Sequence, residues 1–157
     1  MFGCVFALLS VAAIAESSAK RGQTLTTTCV ACHGKDGNSL AGAFPSIAGQ
    51  NAQYLLKQMR DIKTGDRSAP LMTGMLDPMS DQDLQDLAAY YESQTAATGA
   101  ADPELVAEGE AIYRAGIPRK KIAACTACHS PTGQGNGPAV FPALAGQWPE
   151  YTVAQLK

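Results

Sequence analysis

The residues with chemistry to offer are Cys29-Val30-Ala31-Cys32-His33, and the chain carries the pattern again as Cys125-Thr126-Ala127-Cys128-His129. Two thiols separated by two residues and followed at once by an imidazole form the attachment site of a c-type haem. Each thiol can add across a haem vinyl group to give a thioether, and the adjacent imidazole then ligates the iron as its proximal ligand. Four of the five cysteines and both histidines of the chain lie in these two copies. A structural zinc ribbon is a poorer fit, because its CxxC pairs lie within roughly 15–20 residues of each other. Here Cys125 follows Cys29 by 96 residues. A redox-active dithiol would need a strand before CxxC in a βαβ context, and the residues before Cys29 read as helix.

Elements on either side must position the first copy. Ser17 to about Thr28 reads as a helix capped by Ser17 or Ser18. Gly22 lies inside it at a cost of about 1 kcal/mol relative to alanine, so a close contact with another element is expected there. The expected partner is a helix from Ser80 to Gln94. Ser80 is its N-cap, with Asp83 at the capping-box position. Leu84, Leu87, Ala88 and Tyr91 follow the spacing of one buried face. Between them, Gly34-Lys35-Asp36-Gly37-Asn38 is a turn cluster, and Phe44 to Gln50 is an ordered loop. Asn51 caps a third helix, to Lys63, with Leu55, Met59 and Ile62 on one face and Gly65 as its stop.

Two further roles complete the first site. A proline has a carbonyl and no N–H. The Pro45 carbonyl is the candidate acceptor for the Nδ1–H of the proximal imidazole, which would fix the ring and raise its basicity. A methionine-rich loop, Pro70 to Met79, offers thioether sulfur as a sixth iron ligand, which raises the reduction potential. Met72, Met75 and Met79 compete. Met72 precedes a flexible Thr-Gly pair and is the favoured ligand. Met79 abuts the helix cap, and Met59 lies on an apolar helix face, so both read as packing residues.

The second half repeats the first. Phe44-Pro45 matches Phe141-Pro142, Ala48-Gly49-Gln50 matches Ala145-Gly146-Gln147, Tyr54 matches Tyr151 and Gln58 matches Gln155, each 97 residues apart. Internal duplication of this length means two similar domains in tandem. Pro142 is therefore the counterpart of Pro45. Thr95 to Asp102 is the linker. Asp102 is expected to open the next helix with Pro103 at its first position, and Gly109 to play the part of Gly22. Arg114, Arg119, Lys120 and Lys121 precede the second motif, either as a solvated loop or as a docking patch for an acidic partner. Lys157 corresponds to Arg60, and no methionine follows Met79. The second repeat thus reads as incomplete, without a methionine loop or closing helix, and the sequence as a fragment.

Net charge is −2 and aromatic residues make up 6% of the 157 residues. Neither nucleic acid nor an acidic substrate is indicated. The thin aromatic content suits small domains stapled by a covalent cofactor. Residues 1–15 read as a signal peptide. The apolar run Phe2 to Ile14 ends in Ala13-Ile14-Ala15, a small-x-small cleavage pattern before Glu16. A retained amphipathic anchor is the alternative. Cys4 lies in this segment. Export fits haem attachment to CxxCH, which takes place outside the cytoplasm in bacteria.

From Ala19 to Lys157 the chain resembles the cytochrome c4 family. The likeness rests on CVACHGKDGNS, FPSIAGQNAQYLLKQM, MTGMLDPMSDQDLQDLAAYY, CTACHSPTGQG and FPALAGQ. It implies an all-α protein of two tandem class I cytochrome c-like haem domains, at residues 16–98 and 99–157, the second incomplete. It implies two covalently bound haem c groups. Cys29, Cys32, Cys125 and Cys128 would form the thioethers. His33 and Met72 would be axial ligands of the first iron, and His129 would ligate the second, whose sixth ligand has no counterpart here. The family implies a periplasmic electron carrier, loosely membrane-associated, that moves single electrons from a quinol-oxidising cytochrome bc complex towards a haem-copper terminal oxidase or other cytochromes. The alternatives are a cytochrome subunit of a larger dehydrogenase complex, or a ligand-binding or peroxide-reducing haem protein if the second iron is five-coordinate.

Overall fold

The computed structural model describes residues 17–157, and the signal-peptide reading with its Cys4 falls outside them. The described chain is helical, with two isolated bridges, Ile117 with Ile122 and Asn136 with Phe141, in place of any strand. The first repeat holds α1 (Ala19–Thr24), α2 (Val30–His33), α3 (Ala52–Thr64) and α4 (Asp81–Glu92). The second holds α5 (Val106–Ala115), α6 (Thr126–His129) and α7 (Pro149–Gln155).

α1 is shorter than its periodicity suggests. Ser18 caps it through a hydrogen bond from the Arg21 N–H, but Thr26–Thr28 tighten into a 3-10 turn. Three successive β-branched threonines are poor α-helix formers, and this run tips the balance. α4 carries its full capping box: Ser80 accepts from the Asp83 N–H and Asp83 accepts from the Ser80 N–H. Leu84, Leu87, Ala88 and Tyr91 are all buried.

α1 crosses α4 at Gly22. A Cβ there would collide with the Asp86 carbonyl and come within 2.9 Å of the Tyr90 Cβ, so only glycine permits the approach. The crossing is locked by the Asp86 carboxylate, almost wholly buried, which accepts from the Ser18 N–H (2.7 Å), the Gln82 amide (3.0 Å) and Arg21. Burial opposes ionisation of Asp86, but these donors outweigh it and hold its pKa below the usual carboxylate value. α3 is capped by Asn51, which accepts from the Tyr54 N–H (3.0 Å), and stops at left-handed Gly65. It buries Leu55 against Leu87, Ala88, Tyr90 and Tyr91, with Met59 and Met79 packed on the rim.

The second repeat departs from its sequence reading in two places. Pro103 lies in a turn rather than at a helix start, and α5 begins only at Val106. The Asp102 side chain accepts from the Glu104 N–H (3.0 Å) and its carbonyl from the Leu105 N–H (3.0 Å), which closes a turn where the helix was expected. Among the described residues Gly109 has no crossing partner of the kind that α4 gives Gly22. A Cβ there would meet nothing within 4 Å, because among the described residues no helix packs across α5 as α4 packs across α1. No hydrophobic side chain of the described second repeat is buried.

Candidate haem sites

Both CxxCH motifs fold into a single helical turn. In the first, the His33 N–H donates to the Cys29 carbonyl (2.9 Å) and the Cys32 N–H to the same oxygen (3.3 Å). In the second, His129 (2.9 Å) and Cys128 (3.2 Å) repeat this on Cys125. Positions three and four apart share one helix face, so the two thiols and the imidazole point to one side. Among the described residues the four motif cysteines are free thiols. Gly34 ends the first turn with φ of 80°, and Ser130 ends the second with φ of 68°, a conformation glycine adopts without strain and serine does not.

The turn after each motif fastens the proline loop. Ile47 (2.7 Å) and Ala48 (3.0 Å) donate to the Gly37 carbonyl, and Leu144 (2.7 Å) and Ala145 (3.0 Å) donate to the Gly133 carbonyl. A Cβ on Gly37 would come within 2.8 Å of both the Ala48 nitrogen and the Tyr91 ring. Held this way, the Pro45 carbonyl lies 2.9 Å from His33 Nδ1 and the Pro142 carbonyl 2.8 Å from His129 Nδ1. A carbonyl only accepts, so each Nδ1 carries a proton and the other ring nitrogen, Nε2, is the one left to face an iron. Burial pushes the His33 imidazole below its ordinary pKa, with the Pro45 carbonyl opposing the shift, so the ring is neutral at physiological pH. Phe141 stands edge-on to the His129 ring, centroids 6.0 Å apart.

These groups fit a covalently attached haem: two thiols for vinyl addition and an imidazole whose Nε2 is open for iron. The Tyr91 hydroxyl, buried and without a hydrogen-bond partner among the described residues, lies in the same core as Cys29. Burial pushes its pKa up, so it stays protonated. Among the described residues no three His, Cys, Asp or Glu side chains converge to hold a metal ion.

The methionine loop is anchored by Lys63, which donates to the carbonyls of Asp77 (3.1 Å) and Met79. Met72 closes a 3-10 turn, Pro70–Met72, and is half-buried, whereas Met75 is exposed. Met59 and Met79 pack against the helical core. Of the basic residues before the second motif, Arg114 pairs with Glu110 (2.7 Å), and Arg119, Lys120 and Lys121 are exposed.

The two repeats meet through their proline loops. Gln50 donates to the Ala143 carbonyl (3.0 Å) and accepts from the Ala143 N–H (2.8 Å). Gln147 does the same with Ser46, at 2.9 Å and 3.0 Å. Trp148 Nε1 donates to the Ser39 carbonyl (3.1 Å). Arg67 gathers Gln58 (2.7 Å), Tyr151 (2.8 Å) and Gln155 (2.7 Å). The duplicated Ala-Gly-Gln was visible in the sequence, but its pairing across the repeats was not. Arg67 left no sequence signal, since its partners in the other repeat, Tyr151 and Gln155, lie 84 and 88 residues away.

Residues 19–95 match the family model described as Cytochrome c. Over 151 residues the chain is 53% identical to cytochrome c4 of Azotobacter vinelandii, covering 90% of this chain and 72% of that one. The chain belongs to the cytochrome c4 family. Its fold superposes on the crystal structure of reduced recombinant cytochrome c4 from Pseudomonas stutzeri with a TM-score of 0.87 and 49% identity, covering 90% of this chain and 79% of that one. A more distant relative is a thiosulfate dehydrogenase electron acceptor of Stutzerimonas stutzeri, 41% identical over 132 residues, 82% of this chain and 61% of that one. As a cytochrome c4, the protein is a dihaem c-type cytochrome of tandem class I domains, an electron carrier and not an enzyme. No helix among the described residues is long and apolar enough to cross a membrane.

Proposed function

We propose that this cytochrome passes single electrons between a quinol-oxidising bc complex and a terminal oxidase in the periplasm. Cys29 and Cys32 bind one haem as thioethers, and Cys125 and Cys128 bind the other. His33 and His129 ligate the two irons through Nε2, and Met72 is the sixth ligand of the first. The domain limits are 16–98 and 99–157. When bound, haem iron supplies a one-electron ferric/ferrous couple. Gly37 and Gly133 hold the proline loops, Pro45 and Pro142 hold the ligand tautomers, and Lys63 holds the methionine loop. The observation that carries this reading is the pair of imidazole Nδ1 contacts to proline carbonyls, 2.9 and 2.8 Å, each beside two free thiols. A second reading, an electron acceptor for a dehydrogenase, is supported by the thiosulfate dehydrogenase electron acceptor among its relatives.

The test is haem stoichiometry with EPR of the ferric protein. Two haems per chain, with a low-spin signal from the His33 iron, are expected. A chain without covalent haem overturns the proposal. Stopped-flow reduction by purified bc complex, compared with reduction by thiosulfate dehydrogenase, separates the two partner readings.

A further inference from the structure

The carbonyl that accepts from His33 Nδ1 and the N–H that donates to Gln147 belong to one peptide group, Pro45–Ser46. In the other repeat, the Pro142–Ala143 peptide accepts from His129 Nδ1 and donates to Gln50. Each imidazole is thus one planar amide away from a side chain of the opposite domain. The arrangement is reciprocal: Gln147 follows Gln50 by 97 residues, and Ala143 follows Ser46 by the same interval. Each glutamine oxygen is also fixed from its own side, by the Asn51 N–H (3.0 Å) and the Trp148 N–H (3.0 Å). Each amide nitrogen is directed at the carbonyl of the residue whose N–H its oxygen accepts. The four atoms of each glutamine–backbone pair therefore form a closed double hydrogen bond, which pins the loop as well as polarising it.

We propose that Gln50 and Gln147 are positioning residues that set the reduction potential of the haem in the opposite domain. This rests on the reading that His33 and His129 are the iron ligands. When Gln147 Oε1 accepts from the Ser46 N–H, electron density moves through the amide onto the Pro45 oxygen. That oxygen becomes a stronger acceptor for His33 Nδ1–H, and the ring becomes a more basic ligand. A more basic imidazole favours the more highly charged ferric iron and lowers the potential. Gln50 acts likewise on His129. Docking of the two domains therefore enters the redox properties of each site through its axial ligand, in addition to any screening of the haem from solvent.

The direction of the effect separates this relay from a loosened interface. Removing the glutamine acceptor weakens the imidazole as a donor and raises the potential. Opening the interface admits water, which favours the charged ferric state and lowers it. Polarisation along a hydrogen-bonded chain amounts to about 10–30% per bond, so the expected change is a few-fold in the ferrous-to-ferric ratio at fixed potential.

The experiment compares Gln147→Leu, Gln50→Leu and Arg67→Ala in the dihaem protein. Spectroelectrochemistry gives the two potentials. The His Nδ1–H proton resonances of the reduced protein, assigned to His33 and His129, report each hydrogen bond directly. Expected for Gln147→Leu is a higher potential and an upfield Nδ1–H shift at the His33 site, in the domain that was not mutated. Gln50→Leu should do the same at the His129 site. Arg67→Ala, which breaks interface contacts without touching either proline peptide, should give neither upfield shift. Shifts on the mutated side, lowered potentials, unmoved Nδ1–H signals, or the same response from Arg67→Ala would each overturn the relay. Wild-type protein with fewer than two haems, or with His33 or His129 off the iron, would instead overturn the ligand reading beneath it.

Discussion

Gly22→Ala adds one methyl group where α1 crosses α4. On helix propensity alone the change gains about 1 kcal/mol. The structure reverses that sign. The new Cβ meets the Asp86 backbone carbonyl and lies 2.9 Å from the Tyr90 Cβ, and backbone cannot rotate away as a flexible side chain could. The helices must separate, and overpacking of this kind costs about 1–3 kcal/mol. Separation also stretches the bond from the Ser18 N–H to buried Asp86, and hydrogen bonds to charged groups contribute about 1.5–3 kcal/mol. The net loss is about 2–4 kcal/mol, or roughly 10–20 °C for a domain of this size. The matched control is Gly109→Ala in this 157-residue chain, in the corresponding helix of the second repeat, where a Cβ meets nothing within 4 Å among the described residues. There the propensity gain of about 1 kcal/mol should survive and raise stability by a few degrees. Thermal unfolding of both holoproteins, followed by far-UV circular dichroism, reads the two signs. Equal responses at the two glycines, or stabilisation by Gly22→Ala, would refute the crossing-contact argument.

Three other perturbations test other parts of the structure. The Ser80 hydroxyl and N–H, with Arg21, hold the Asp83 carboxyl at about 2, below its usual value of about 3.9. Its stabilisation is complete above the unfolded value and disappears as pH falls through the folded one, so unfolding free energy should decline between about pH 4 and 2. Asp83→Asn should flatten that decline, and an unchanged slope would show that Asp83 is not its source. Met72→Ala should lower the potential of the His33 haem and convert its ferric EPR signal from low to high spin, whereas Met75→Ala should leave both unchanged. If Met75→Ala has the larger effect, the ligand assignment moves to Met75. Arg67→Ala removes hydrogen bonds to Gln58, Tyr151 and Gln155. It should destabilise the protein by about 1–3 kcal/mol in urea unfolding, with the loss falling on the docking of the two repeats. A midpoint identical to wild type would mean that the cluster contributes nothing to docking.

Where neighbours in space are also neighbours in sequence, the chain was legible by itself. Cys29, Cys32 and His33 share a face because three- and four-residue spacings share a helix face. Ser80 with Asp83, and Asn51 with the Tyr54 N–H, are capping pairs closed within one turn. The buried stripe of α4 follows from the helical period. Even the proline carbonyls were accessible to reasoning, since an acceptor was needed close to each imidazole and proline offers a carbonyl without a competing donor. Gly22 could be flagged because an unfavourable residue in a helix calls for a compensating contact.

Tertiary structure decided the rest. Gly109 looked like Gly22 in sequence but meets no crossing backbone among the described residues, and a glycine is required only where another backbone approaches. Asp102 and Pro103 looked like a helix start, but the Asp102 side chain and carbonyl were satisfied by a turn instead. Gln50 and Gln147 appeared only as a repeated pattern. Their partners lie 93 and 101 residues away and come into reach through the approach of two folded surfaces. The shared face of each motif's two thiols and imidazole was thus written in local spacing. The coupling between the two halves was not, because it depends on which backbone groups each loop leaves unpaired and on how closely the other half packs against them.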